Sequence, residues 1–150
     1  MLVIIGHGPS IVGKQLGSWL DTQTLVRLKG AQIPNSVDWG TRTDFICSKS
    51  LQYQTSVPFW HYDKNGKWRD HFSMYSTRKP STGLTALFCA VDRGYSEVGL
   101  AGFDNLLRPW DQGWTKWHMA RHAGTWGHDS HAEHLCAFNL PIKIVDVTGG

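Results

Sequence analysis

The sequence predicts an α/β protein: a three-layer α/β/α, Rossmann-like domain on a mostly parallel sheet. Three observations carry that expectation. Short apolar runs bounded by glycine or polar turns recur along the chain. Segments with helical spacing of apolar residues stand between them, an alternation that favours a sheet covered on both sides. The small-residue polar loops fall where strands end or helices begin, the edge at which such sheets bind ligands.

The elements follow in order. Leu2–Ile5 is an apolar run closed by Gly6 and reads as a buried first strand, central in the sheet. GHGPS follows as a loop. Ile11, Val12, Leu16, Trp19 and Leu20 recur at helical spacing, with Pro9 and Ser10 at the start. Thr24–Leu28, residues 44–48 (DFICS) and residues 57–62 (VPFWHY) read as strands. DKNGKWRD, with Asn65-Gly66, reads as a turn. Leu84, Leu87, Phe88 and Val91 mark a helix closed by Gly94. EVGLAGF and IKIVDV are further strands. DSHAEHLCAF between them reads as a helix with Ala132, Leu135 and Cys136 on its apolar face.

Length and composition narrow the classes. The 150 residues fit one domain, 1–150, with a single core. A net charge of +3, with no long basic run, suits an anionic small ligand and argues against nucleic acid. No apolar stretch is long enough to span a membrane. MLVIIGHG lacks the charged start of a signal peptide. Cys47, Cys89 and Cys136 are scattered without C-x-x-C spacing, which points to buried thiols in a reducing cytoplasm. Four of the eight tryptophans lie within residues 110–126. They suit stacking on a sugar or base as well as core packing.

The loops carry the chemistry. In PSTG, Ser81 or Thr82 caps a helix, and Ser81, Thr82 and Gly83 offer hydroxyls and free N–H groups to a phosphate or carboxylate. In GHGPS, Gly6, His7, Gly8 and Ser10 sit between strand and helix, where glycine lets a ligand approach the backbone. The AGFDN loop contributes Asp104 at the same edge. In GHDSHAEH, Ser130 and Glu133 have capping-box spacing, so Glu133 folds back on the helix start or serves the site. His128 then lies just outside the helix, whose positive end disfavours an imidazolium and favours a general base. His118 and His122 are spaced i, i+4, and His128, His131 and His134 repeat every three. Either set could ligate a metal. No H-E-x-x-H occurs, and Gly124 and Gly127 interrupt the segment, so no metal and no cofactor is expected.

Taken in order, these stretches resemble the four short motifs of the eukaryotic-type sialyltransferases. VIIGHGPS…TLVRLKGAQ…DWGTRTD is similar to their large motif and PSTGLTALFCAV…EVGLAGFD to their small motif. HDSHAE resembles their last motif, and 118–122 stands where their third motif lies. The resemblance covers most of the chain. It implies an α/β/α nucleotide-binding fold, a CMP-sugar donor and metal-free transfer with inversion. It also implies donor contacts at Ser81, Thr82 and Gly83, and His128 as the base that deprotonates the acceptor. His118 or His122 would support the departing phosphate. The chain differs from the family at His7 and Lys29, where asparagines hold the nucleotide. That change keeps the pocket suited to an anion and leaves base and sugar open. The chain is shorter than the family's catalytic domains, as expected of a bacterial or phage version.

The expected function is therefore that of a glycosyltransferase-like protein with a nucleotide or nucleotide-sugar ligand of CMP type and an unassigned acceptor. Two other readings use the same loops: a non-catalytic nucleotide binder acting as sponge or sensor, and a hydrolase of a nucleotide-linked bond.

Overall fold

A computed structural model describes residues 1–28, 33–48, 56–61, 66–110 and 128–149. Six strands form one sheet: β1 (Leu2–Ile5), β2 (Thr24–Leu28), β3 (Phe45–Ser48), β4 (Phe59–His61), β5 (Glu97–Ala101) and β6 (Lys143–Asp146). Their order is β4-β3-β2-β1-β5-β6, and every pairing is parallel. Among the described residues the helices are α1 (Gly17–Leu20), α2 (Ser36–Trp39), α3 (Lys67–Ser73), α4 (Thr82–Asp92), α5 (Asp104–Leu107) and α6 (Ser130–Phe138), with a 3-10 turn at Pro9–Ile11. This is the three-layer, Rossmann-like α/β architecture expected from the sequence.

β1 is apolar at every position because both faces of a parallel sheet are covered. Alternation then divides it between two cores. Leu2 and Ile4 join Val26, Val98 and Leu100 beneath α4 and α6, while Val3 and Ile5 join Leu25 and Ala101 beneath α1 and α2.

α4 is the central helix of the larger core. Residues 83–90 are all buried, so no polar stripe marks its surface side. The Ser81 side chain accepts from the Leu84 N–H at its start, and Gly94, at φ 84°, follows its end. α3 seals the outside of α4 by stacking Trp68 on Phe88, ring centroids 4.7 Å apart and planes nearly parallel.

The structure corrects four local expectations. The helix expected from Ile11 to Leu20 is broken: Gly13 and Gln15 adopt φ 78° and 54°, leaving the 3-10 turn and the four-residue α1. Lys67–Asp70, expected within a turn, begins α3, because Gly66 is its N-cap; Asn65 lies outside the described residues. Ser130 does not cap α6. Asp129, one residue earlier, accepts from the Ala132 N–H at 3.1 Å, and Glu133 points elsewhere. Leu135 is 56% exposed, because α6 turns Ala132, Glu133, Cys136 and Ala137 inward instead.

The strand order fixes where a ligand can sit. From β1 the chain runs outward through β2, β3 and β4, then crosses back through α4 to lay β5 on the other side of β1. The order reverses at β1, so the crevice beyond the carboxyl ends of β1 and β5 is the topological switch point.

Candidate functional site

Four segments distant in sequence meet at that crevice. The first is the loop after β1. Gly6 N–H donates to Ala101 O at 2.8 Å and Gly8 N–H to Gly102 O at 2.6 Å, which zips the loop to the end of β5. Gly8 has no room for a side chain: a Cβ there would lie 2.1 Å from Asp104 Oδ2 and 2.7 Å from Gly102 O. Two residues on, Ser10 N–H donates to Asp104 Oδ2 at 3.0 Å.

The second segment is residues 102–104 after β5, where Phe103 packs inward. The third, the start of α4, lies against it, for a Cβ on Gly83 would stand 2.5 Å from the Phe103 ring. The two glycine loops thus meet backbone to backbone, and the helix start meets them through the Phe103 ring, close approaches that only small residues allow.

The fourth segment, the beginning of α6, is tied to α4 by one side chain. Glu133 is fully buried. Its Oε2 accepts from Ser81 N–H at 3.1 Å and its Oε1 from the Ser81 hydroxyl. A carboxylate is costly to bury without such partners. The hydroxyl that donates to Glu133 also accepts from Leu84 N–H at 3.2 Å, so Ser81 is wholly engaged within the protein. The N–H groups of Thr82 and Gly83, first in the helix, have no partner among the described residues. They are the groups that a helix N-terminus offers to an anion.

His128 completes the arrangement. Its Nδ1 stands 3.9 Å from Glu133 Oε2, within ion-pair reach though longer than a hydrogen bond. Asp129, next in the chain, caps α6 and accepts from the Ser76 hydroxyl at 3.0 Å, which anchors the His128 backbone from a second side. One buried carboxylate therefore joins the helix cap of PSTG to the histidine of HDSHAE, although Ser81 and Glu133 stand 52 positions apart in the chain.

Of the residues singled out from sequence, the structure brings together Gly6, Gly8, Ser10, Ser81, Thr82, Gly83, Asp104, His128 and Glu133, with His7 in the same loop. Lys29, His118 and His122 lie outside the described residues. His131 is exposed, and His134 Nδ1 lies 2.7 Å from Leu106 O, with its ring between Trp110 and Phe138. Among the described residues no three His, Cys, Asp or Glu side chains are grouped to hold a metal ion.

Sequence reasoning missed Arg108 and Asp146. Arg108 Nη2 pairs with Asp104 Oδ1 at 2.5 Å and Nη1 with Asp146 Oδ2 at 2.7 Å. The i, i+4 spacing of Asp104 and Arg108 was a readable signal. Asp146, at the end of β6, had none.

Among the described residues no helix is long and apolar enough to cross a membrane. No family model matches the chain, and no curated protein or solved structure matches it either.

Proposed function

We propose that this chain binds a nucleotide or nucleotide sugar, CMP-type by preference, and transfers the sugar to an acceptor hydroxyl with inversion and without a metal. The observation that carries the reading is Glu133. It joins a helix start with two unpaired N–H groups to a histidine beside the same crevice. A group-transfer site needs both halves: donors for an anionic leaving group and a base for the incoming hydroxyl.

The roles follow from the geometry. The nucleotide phosphate rests against Thr82 and Gly83 N–H and the Thr82 hydroxyl, since both polar groups of Ser81 are used by Glu133. The acceptor oxygen attacks the anomeric carbon as the bond from that carbon to the phosphate oxygen breaks. The electron pair leaves with the phosphate, and the acceptor proton passes to His128. With Nδ1 turned to Glu133, Nε2 is the nitrogen that takes it. Glu133 then stabilises the imidazolium, as a buried carboxylate does behind any histidine base. The 3.9 Å separation is within reach of a contact that tightens when substrate binds. Cys47, Cys89 and Cys136 are buried thiols outside any disulfide, which supports a reducing, cytoplasmic setting.

The test pairs binding with turnover. Thermal shift against CMP, AMP, GMP and UMP, then CMP-sugars, identifies the ligand, because a ligand that binds only the folded state raises the midpoint. His128→Gln is expected to lose about 10²–10⁴ in turnover while donor affinity is kept. Turnover that survives the substitution removes His128 from the mechanism. Binding without turnover on any acceptor or on water makes the protein a nucleotide binder, and release to water alone makes it a hydrolase.

A further inference from the structure

We propose that Arg108, anchored by Asp146, is a positioning residue that makes the 6–10 loop fit to receive an anion. The proposal rests on the nucleotide reading above and deepens it.

The starting point is the charge beneath the loop. The Asp104 side chain is 9% exposed, and both of its oxygens are used within the protein. Oδ2 accepts Ser10 N–H and Oδ1 meets Arg108. Gly8 crosses this carboxylate too closely for any side chain. Asp104 is therefore the support of the loop rather than a ligand contact. That support is negative, and a phosphate arriving on the loop is negative too. Like charges a few Å apart in a partly buried setting repel strongly unless a counter-charge lies beside one of them.

Arg108 is that counter-charge. One arm of its guanidinium neutralises Asp104; the other is held by Asp146, whose remaining oxygen accepts from the Thr148 N–H at 3.0 Å and from its hydroxyl. The planar fork suits two carboxylates at once, which a lysine ammonium cannot match in geometry. The bonds run in one line from Thr148 through Asp146, Arg108 and Asp104 to Ser10. The surplus negative charge of the cluster falls on Asp146, with the guanidinium between it and the loop. The buried Ser10 hydroxyl has no partner among the described residues, so the end of this line offers a donor where the ligand would arrive.

The test uses the full chain, with CMP and cytidine as probes by calorimetry, and amide exchange at Ser10 without ligand. Arg108→Met is expected to weaken CMP by about tenfold or more while cytidine stays within about threefold, and to speed Ser10 exchange. Asp104→Asn added to Arg108→Met removes the bare charge and keeps an acceptor for Ser10, so CMP affinity and slow exchange return. Equal weakening of CMP and cytidine, a double variant no better than the single one, or unchanged Ser10 exchange would each overturn the proposal. Arg108→Lys is the second variant, in case Arg108→Met does not fold: its CMP-to-cytidine ratio stays within about threefold of wild type, and a tenfold drop overturns the electrostatic role. If the wild type binds neither probe, the nucleotide reading falls. Amide exchange then decides the support role alone: faster in Arg108→Met and restored in the double variant keeps it, unchanged removes it.

Discussion

The two faces of the sheet are held in different ways. Beneath α3, α4 and α6 lies one large apolar cluster, which includes Ile4, Val26, Trp60, Leu87, Phe88, Leu100 and Cys136. Beneath α1 and α2 the cluster among the described residues is small: Val3, Ile5, Ile11, Leu20, Leu25, Trp39 and Ala101. Polar bonds supplement it. Asp38 accepts from Gly13 N–H and Gln15 N–H, each at 2.9 Å, and so fixes the two left-handed residues of the 12–16 turn. Buried Arg27 donates to Trp39 O, Arg42 O and the Thr43 hydroxyl, which pins the approach to β3 onto β2. Area-driven burial does not depend on pH, whereas carboxylate bonds do. The two faces should therefore fail under different stresses.

The largest expected effect is on the apolar face. Phe88 is fully buried, stacked on Trp68 and in the middle of α4. Phe88→Ala is expected to cost about 3–5 kcal/mol in urea unfolding, through lost transfer energy and the cavity left behind. The loss should be the same at pH 7 and pH 4. A loss below about 1 kcal/mol would mean that this cluster collapses freely on removal of its central ring, and the contrast between the faces would disappear.

A smaller, pH-dependent effect belongs to the other face. The N–H groups of Gly13 and then Gln15 hold the Asp38 carboxyl below the usual range. A carboxyl depressed in the folded state takes up its proton more readily when unfolded. Its stabilisation is full above the unfolded value of about 4 and fades as pH falls through the folded value. Asp38→Asn should therefore lower the urea midpoint at pH 7, and the gap from wild type should close as pH drops below about 4. Asp21, held low chiefly by the Arg42 N–H, keeps some acid sensitivity in the variant, so the gap between the two proteins is the readout. A gap that is constant with pH would show that Asp38 acts by shape and not by charge.

The contrast also explains what the sequence could convey. β1, β2, α4 and the alternation of strands with helices follow from apolar periodicity, and periodicity describes the large cluster well. The 12–16 turn escapes it. Ile11, Leu16 and Leu20 have the right spacing for a helix, but a side chain from Asp38, distant in sequence, stabilises left-handed backbone at Gly13 and Gln15. The site was legible in the same uneven way. Gly8, Ser81, Gly83 and His128 belong to compact local stretches. The bond from Glu133 to Ser81 is long-range, and the capping-box spacing of Ser130 and Glu133 pointed to a local partner instead. Local rules fail where a polar side chain is spent on a distant segment, and here those are the places that build the site.

The smallest expected effect lies on α6 and sharpens the comparison within one helix. Its inward side carries Ala132, Glu133, Cys136 and Ala137, where burial and then the charge of Glu133 push the Cys136 thiol up to about 12. A thiol so placed stays protonated and should be silent to thiol reagents in the folded protein. Its outward side carries Leu135, 56% exposed, and Phe138, 50% exposed. Leu135→Gln keeps helix propensity and removes little buried surface, so the urea midpoint should move by no more than about 0.5 kcal/mol in free-energy terms. Catalytic or binding readouts should not move at all, because Glu133, which His128 approaches, lies on the buried side of the helix. A loss above about 1.5 kcal/mol would mean that Leu135 is covered in solution. The outer face of α6 would then belong with the apolar cluster, and the helix would have no open side.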